Sequence, residues 1–487
     1  MDSRCAWSRR LQIRFVPFYP EAKTNIMNMN SSMNRRKFLN SAAIGGAAIA
    51  VSTRSVSVLT NGKPSVAAVS SDIGKPALLG GDPVRAKSFS AWPVADDQDE
   101  RALTDVLHSK KWYRGSGNKV DRFEQEYAAL TGARHCVATA NGTSALFASV
   151  GALDIGPGDE VILPPYTFVA TLNVILLQYA LPVFVDSDRE TFQIDAKKIE
   201  AAITPRTAAV IPVHMGGSAA DLDTILAVSR KHKIAVIEDA CQAHLAEWRE
   251  QKVGTWGDAG CFSFQASKNL NCGEGGAILT NNDELADRCY AFHNNSNARR
   301  STRRNMTDSG SRAANLRLTE FQAGLVLSQM TRVEEQSRIR EENAKYLTSL
   351  FKEIPGIHPA AIYEGCTQNA YHLYMFRYRR EEFGNLERTK FLQALGAEGI
   401  PCSSGYSPLN RHAAVRATFR TKGYRRIYSK TELDEWEERN QCPENDLLCQ
   451  EGVWFSQTML LGNRTDMDQI AEAVRKIKKH ASALNKV

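Results

Sequence analysis

The sequence has no Cys-x-x-Cys pair among its ten cysteines, so it lacks the most common spacing of a cysteine metal site. We therefore expect no metal site. It has no internal repeat, and beyond residue 63 no basic stretch is interleaved with aromatic residues, which excludes the usual nucleic-acid-binding pattern. A mildly apolar run at residues 41–51 is too short for a comfortable membrane span.

Positive charge is concentrated near the amino terminus. Residues 1–63 contain ten Lys and Arg but two Asp and Glu, whereas the whole chain has a net charge of +7. The rest of the chain is therefore close to neutral, and its length is ample for a large domain with a smaller second domain.

The amino-terminal segment has the layout of a twin-arginine export signal. Arg35 and Arg36 are followed by Lys-Phe-Leu and then by the Gly/Ala-rich run 41–51. We expect residues 1–70 to be an export leader and linker, and the mature protein to be periplasmic; otherwise it is cytoplasmic. The true start and the cleavage site stay open, because plausible alternative starts exist at Met27, Met29 and Met33.

Lys268 lies in the stretch 263–270, which we predict to be a short apolar strand that ends in the glycine-rich turn 273–276. A lysine amine that is partly stripped of solvent has a lowered pKa and is nucleophilic toward an aldehyde. Pyridoxal phosphate is held covalently in this way. The alternative is an ordinary solvated lysine.

Three other segments favour the same cofactor. The turn at 141–145 follows an apolar strand and opens an apolar helix, so its backbone N–H groups and the Thr143 hydroxyl can hold a phosphate. Asp239 ends the predicted strand 234–238, at the edge where open α/β sheets bind ligands, and a carboxylate there can keep the pyridine nitrogen protonated. Phe168 offers an aromatic face for stacking, unless it belongs to the core.

Apolar strands alternate with helical stretches from about residue 135 to 281. The predicted strands lie near 136–140, 160–163, 182–186, 208–213, 234–238, 260–264 and 276–280. This alternation predicts an α/β domain with a mostly parallel seven-stranded sheet and helices on both faces.

The carboxyl-terminal part has a different pattern. A long helical pattern runs from Asn315 to about Phe351, followed by a predicted strand at 371–377 and a predicted helix at 388–398. We expect a large cofactor-binding domain over residues 71–330 and a smaller α+β domain over residues 331–487.

Six motifs occur in the order found in the DegT/StrS family of pyridoxal-phosphate sugar aminotransferases. They are NGTSAL (141–146), PPYTFVAT (164–171), VHMGG (213–217), EDACQAH (238–244), SFQASKNLNCGEGG (263–276) and NLRLTEFQA (315–323). The sequence resembles this family from about Leu78 onward, which implies the three-layer aspartate-aminotransferase fold (fold type I). Segments 112–124, 213–217 and 442–454 look most like 3-amino-5-hydroxybenzoate synthase and the scyllo-inosose aminotransferases.

The resemblance implies a role for each matching residue. Lys268 would bind the cofactor aldehyde as a Schiff base and later move a proton, and Asp239 would pair with the pyridine nitrogen. The remaining positions are Gly142, Thr143 and Ser263 at the phosphate, Phe168 on the ring, Gln242 near the phenolic oxygen, and Asn315 at the phosphate of the neighbouring subunit. The last position implies a homodimer with shared active sites.

Several residues leave alternatives open. Candidates for the donor's carboxylate are, by residue type, Arg317, Arg377 and Lys119, although each is also a plausible surface cation. His244 is either structural or a substrate contact, and Leu245 stands where many relatives have glycine, which alters the backbone there. In an oxidising periplasm, Cys442 and Cys449 are the nearest couple for a disulfide.

The function that we expect is transfer of an amino group from glutamate or glutamine to a keto-sugar or keto-cyclitol. A related dehydratase is one alternative, but the resemblance implies that such members replace the lysine by histidine. A cofactor-binding sensor or assembly protein without turnover is another. The sequence does not name the acceptor; export disfavours nucleotide-linked sugars, which are cytoplasmic, and favours a free cyclitol or a glycan.

Overall fold

The computed structural model describes residues 74–298 and 312–487. The leader predicted at 1–70, with Arg35 and Arg36, lies outside the described residues and stays a prediction. In the part of the chain that is described, no helix is both long enough and apolar enough to cross a membrane.

A seven-stranded sheet lies at the centre of the described chain. The strands up to residue 280 are β1 (His135–Thr139), β2 (Glu160–Leu163), β3 (Leu181–Phe184), β4 (Thr207–Val210), β5 (Ala235–Asp239), β6 (Glu247–Trp248), β7 (Gln251–Lys252), β8 (Ala259–Ser263) and β9 (Gly276–Thr280). The large sheet has the order β1-β9-β8-β5-β4-β2-β3. Its pairs from β8 through β3 are parallel, and β9 is antiparallel to both of its neighbours. The prediction of a mostly parallel sheet is confirmed.

Helices cover both faces of this sheet. They are Asp97–Ser109, Lys119–Thr131, Gly142–Ala152, Val169–Leu177, Ile199–Ala202, Leu222–His232 and Asp283–His293. Alternate residues of a strand face opposite sides: in β1, Val137 packs in the same cluster as Leu146, whereas Cys136 and Ala138 pack with Phe123. Burial on both faces explains why the strands are apolar throughout. The expected three-layer α/β architecture is confirmed.

The long helix begins at Glu320 and ends at Lys352, so the prediction that it begins at Asn315 was wrong. A capping box fixes the start: the Thr319 hydroxyl accepts from Gln322 N, and the Gln322 side chain accepts from Thr319 N. Asn315 instead lies in an extended segment that forms an antiparallel bridge with Asn294.

A second, antiparallel sheet lies in the carboxyl-terminal part. The strands here are β10 (Ile357–Pro359), β11 (Cys366–Gln368), β12 (Leu373–Tyr378) and β13 (Gly452–Ser456). The second sheet has the order β10-β12-β13, and β11 pairs instead with β6. The helices are Arg388–Ala397, Ala413–Phe419, Lys422–Ile427, Lys430–Arg439, Pro443–Glu451, Arg464–Lys479 and Ala481–Leu484. Phe351, at the end of the long helix, packs against Phe376 and Phe455 of this sheet. The proposed boundary between residues 330 and 331 falls inside the long helix, and the domain limits stay predictions.

Candidate cofactor and active site

The carboxyl end of β5 carries two adjacent carboxylates with different surroundings. Glu238 is fully buried. It accepts hydrogen bonds from the backbone N–H groups of Gly254, Trp256 and Gly257 and from His214 Nε2. Asp239 accepts from the Thr171 hydroxyl (2.8 Å) and from Cys241 N (3.2 Å). Because neighbouring strand residues face opposite sides, Glu238 holds loops together, whereas Asp239 faces the other side at the edge where open α/β sheets bind ligands.

Lys268 lies near Asp239 in the turn between β8 and β9, so the prediction that it lies on a strand was wrong: β8 ends at Ser263. Burial lowers the pKa of the Lys268 amine, and the neighbouring Cys241 and Asp239 side chains oppose that lowering. The amine is therefore less basic than that of a solvated lysine and sits close to a carboxylate. The lower basicity suits a lysine that attacks an aldehyde, whereas the nearby carboxylate works against it by favouring the protonated amine.

The Lys268 turn is held from two sides. Trp92 Nε1 donates to Ala266 O at 2.8 Å. On the other side, Asn269 Nδ2 donates to Ala370 O at 2.7 Å, and Asn269 Oδ1 lies 3.2 Å from His372 Nδ1. Since an amide oxygen only accepts, His372 Nδ1 is the donor. These bonds fix the backbone on either side of the lysine.

Gly142, Thr143 and Ser263 form what we call the glycine cradle. Gly142 and Thr143 begin the helix Gly142–Ala152, so their N–H groups have no partner within the helix, while Ser144 N is bonded to the Asn141 side chain. The Ser263 hydroxyl accepts from Gln265 N at 3.3 Å, which leaves its own proton to donate. The cradle therefore presents N–H and O–H donors at a helix N-terminus, the arrangement that binds phosphate.

Gly142 leaves no room for a side chain. A Cβ at this position would lie 2.7 Å from Ser263 Cβ and 2.9 Å from Cys241 Sγ. We expect Gly142→Ala to push Ser263 and the helix apart, and to weaken cofactor binding by about tenfold, the equivalent of roughly 1.4 kcal/mol. Absorbance titration of the cofactor-free protein measures this.

Gly396→Ala is the matched control for Gly142→Ala. A Cβ at Gly396 meets no atom within 4 Å, and this helical position gains stability from alanine. It should leave cofactor affinity unchanged. Equal affinity in the Gly142→Ala protein and the wild type would contradict the tight fit of the cradle.

Phe168 is exposed rather than part of the core, with 57% of its surface accessible. It precedes the helix Val169–Leu177, one turn before Thr171, whose hydroxyl binds Asp239. An exposed aromatic ring is free to stack on a planar ligand.

Gln242 is buried with both ends of its amide bonded. Its Nε2 donates to the Tyr406 hydroxyl at 3.1 Å, and its Oε1 accepts from Gly216 N at 2.9 Å. The Tyr406 ring packs edge-on against Tyr166 at 5.5 Å. Gln242 thus joins the EDACQAH segment to a loop of the carboxyl-terminal part, on the side where Asp239 lies.

Asn315 is exposed and lies in the extended segment before the long helix. The next residue, Leu316, accepts from Ala140 N at 2.7 Å and donates to His293 O at 2.9 Å. Arg317 Nη1 donates to Asn294 Oδ1 at 3.0 Å. The segment runs beside the end of β1 and leaves the Asn315 side chain available to another chain.

The other residues that were singled out from the sequence are held by ion pairs, by packing or by the backbone conformation of the fold. Arg377 pairs with Glu190 and with Glu451, so it does not present a free cation. His244 packs against two phenylalanine rings, and burial, followed by the Lys268 charge, lowers the pKa of its imidazole to about 3. Leu245 adopts a φ of 65°, in the left-handed region that favours glycine. Leucine therefore keeps a backbone conformation that suits glycine, and the expected alteration of the backbone at this position stays a prediction.

The structure also shows the surroundings of Lys119 and of the two cysteines Cys442 and Cys449. Lys119 begins the helix Lys119–Thr131, where its backbone N–H donates to Glu320 at 2.7 Å. Cys442 and Cys449 are both free buried thiols. Burial raises the pKa of the Cys449 thiol to about 12, so it stays protonated.

Four residues of the site were missed from sequence: Thr171, Tyr406, Asn269 and His372. Thr171 had a usable signal, because it lies one helical turn after Phe168 in the same motif. Tyr406 had none, since 164 residues separate it from Gln242.

Comparison with known proteins identifies the family of this chain. A sequence profile of the DegT/DnrJ/EryC1/StrS aminotransferase family matches residues 93–433. The chain belongs to this family. It is a pyridoxal-phosphate-dependent aminotransferase, and the resemblance inferred from its motifs is confirmed.

Similar proteins cover most of the chain. An L-glutamine:2-deoxy-scyllo-inosose aminotransferase from Streptoalloteichus tenebrarius is 36% identical, over 84% of this chain and 98% of the relative. A 3-amino-5-hydroxybenzoate synthase from Amycolatopsis mediterranei is 33% identical, over 80% and 97%. A crystal structure of 3-amino-5-hydroxybenzoic acid synthase superposes with a TM-score of 0.71 at 29% identity, over 83% of this chain and all of that one. The predicted aspartate-aminotransferase-like fold is confirmed.

Proposed function

We propose that the protein transfers an amino group from glutamine or glutamate to a keto-cyclitol or keto-sugar, with Lys268 as its catalytic residue. The observation that carries this proposal is the placement of Lys268, with its lowered pKa, beside Asp239. The names of the relatives support glutamine as donor and an inosose as acceptor.

The residues present fit pyridoxal phosphate. When bound, this cofactor supplies an aldehyde and a ring that accepts electrons. The glycine cradle offers N–H and O–H donors to its phosphate, and Asp239, fixed by Thr171, would hold a proton on the ring nitrogen. Phe168 would stack on the ring, and Gln242, oriented by Tyr406, would lie at its phenolic oxygen.

Lys268 has two tasks in this arrangement. Its amine holds the cofactor before the donor arrives, and once free it moves the proton between the donor's α-carbon and the cofactor. Burial lowers the pKa of the Lys268 amine, which favours the unprotonated form that the second task requires.

A change in cofactor absorbance tests the function. Addition of glutamine or glutamate to the cofactor-loaded protein should remove the visible absorbance of the bound aldehyde, and a keto-cyclitol should restore it. A protein that binds the cofactor only as a sensor would keep its spectrum unchanged with every donor.

We propose further that Asn315 completes the site of the neighbouring subunit in a homodimer. Its exposed position supports a role in another chain. Equal mixing of Lys268→Ala and Asn315→Ala subunits should then regain activity, up to about a quarter of the wild type. Half of the random pairs are mixed, and each mixed pair has one intact site.

The mixed-dimer assay also has a contradicting outcome. If Asn315 served its own chain, every site in the mixture would lack either Lys268 or Asn315. No activity above that of the separate variants would then appear after subunit exchange, and the shared-site proposal would fail.

We propose that the protein folds and binds its cofactor before twin-arginine export. Pyridoxal phosphate is made in the cytoplasm, and a pathway that carries folded proteins would bring it along. Replacing Arg35 and Arg36 by lysine should retain an active, cofactor-loaded enzyme in the cytoplasm, as cell fractionation would show. Periplasmic enzyme at the wild-type level in this variant would contradict the export proposal and leave the catalytic one intact.

A further inference from the structure

An arginine in the interior of the protein has no acidic partner among residues 74–298 and 312–487. Arg340 lies on the long helix Glu320–Lys352 and is 0% exposed. Its Nε donates to Gln457 Oε1 at 2.9 Å, but within the described residues Nη1 and Nη2 have no hydrogen-bond partner. We call Nη1 and Nη2 the free edge of this guanidinium. A buried charge that no other charge compensates is strongly destabilising, so a ligand bound at the free edge would stabilise the protein.

The groups around Arg340 do not neutralise it. Its Cζ lies 5.3 Å from the centre of the Trp92 ring, a contact that offsets only part of the desolvation. Burial lowers the pKa of the Arg340 guanidinium to about 9, which leaves it charged near neutral pH. Burial, with the charges of Lys268 and Arg340, also lowers the pKa of both His244 and His372, so these imidazoles are neutral.

A further donor lies beside the free edge. Gln457 Oε1 is bonded to Arg340, which places the other arm of the same amide, Nε2, next to the guanidinium. This Nε2 is buried and has no partner among the described residues. The free edge therefore offers N–H donors from two side chains and a positive charge, with no acceptor to meet them.

We propose that Arg340 and Gln457 Nε2 bind a small monovalent anion of the size of chloride or bromide. Such an anion accepts several N–H groups at once and supplies the missing charge. Complete burial of Arg340 disfavours larger anions, which would need an opening to solvent. Its donors differ from those of the glycine cradle, which are the N–H groups of Gly142 and Thr143 and the Ser263 hydroxyl.

The anion would be close enough to affect Lys268. Trp92, which faces Arg340, binds Ala266 O two residues before the lysine. Gln457 N donates to His372 O at 3.1 Å, and His372 binds Asn269, the residue after the lysine. A bound halide would therefore favour the protonated Lys268 amine and raise its pKa.

Stability in bromide tests the site. Bromide replaces gluconate at constant ionic strength, and the melting temperature of the cofactor-loaded protein is followed. The wild type should be stabilised progressively, as expected for a ligand that binds only the folded state, and Arg340→Met should not respond. Arg338→Met is the matched control, because Arg338 is an exposed residue of the same helix that pairs with Glu335 and Glu342. A bromide response equal in Arg340→Met and the wild type would overturn the proposal.

Crystals of the cofactor-loaded wild type grown in bromide give a second test that needs no variant. An anomalous peak within hydrogen-bond distance of Arg340 Nη1 or Nη2 is expected. Water alone at that position, or bromide only at the protein surface, would overturn the proposal. Neither measurement depends on amino transfer, so failure of the anion site and failure of the proposed function are distinguishable.

Discussion

Lys268→Ala is expected to abolish amino transfer while leaving the protein folded. The substitution removes the amine that holds the cofactor and the group that moves the proton. Proton transfer by a positioned side chain alone contributes about 10²–10⁴-fold in rate. Burial lowers the pKa of the Lys268 amine, which means that burying its charged form is unfavourable. Its removal should therefore not reduce the free energy of unfolding. Turnover assays, paired with thermal unfolding of the same preparation, measure both properties.

Lys345→Ala is the control for Lys268→Ala. Lys345 is a surface residue of the long helix that pairs with Glu341, and its loss should leave turnover unchanged. Near-wild-type turnover by Lys268→Ala would show that the proposed mechanism is wrong.

Asp239→Asn should lower the rate far more than it lowers cofactor affinity. In the ground state it removes a charge-assisted hydrogen bond of about 1.5–3 kcal/mol. The larger loss falls on the transition state, because a ring nitrogen without its proton is a poorer electron acceptor. Turnover number and cofactor dissociation constant, measured on the same protein, separate the two effects.

Thr171→Val provides a graded comparison for Asp239→Asn. It removes the hydroxyl that fixes Asp239 at 2.8 Å but leaves the carboxylate charged, so the rate should fall less. Equal losses of rate and affinity in Asp239→Asn would count against the role given to this carboxylate.

The large sheet could be predicted from sequence because its strands are buried on both faces. Each strand is then a short apolar run, and Ile162 or Ile237 marks it without knowledge of its neighbours. Lys268, Asp239 and Gly142 could be found for a related reason. Each lies where a strand ends or a helix begins, and the local sequence marks such points.

The remaining parts depend on contacts between distant segments. His372 reaches the Lys268 turn from the start of β12, and Arg340 meets Gln457 across 117 residues. The periodicity of apolar residues within a short stretch of sequence predicts neither of these contacts. The start of the long helix was misplaced because the apolar pattern around Leu318 continues before the Thr319 cap, where the chain is extended.

Transfer of a labelled nitrogen tests the central claim most directly. Glutamine with an isotopically labelled α-amino group is incubated with the cofactor-loaded protein and a keto-cyclitol such as 2-deoxy-scyllo-inosose, and the product is examined by mass spectrometry. The wild type should yield an aminocyclitol that carries the label, and Lys268→Ala should yield none. If the cofactor-loaded wild type transferred no label to any keto-cyclitol or keto-sugar from glutamine or glutamate, the proposed function would be contradicted.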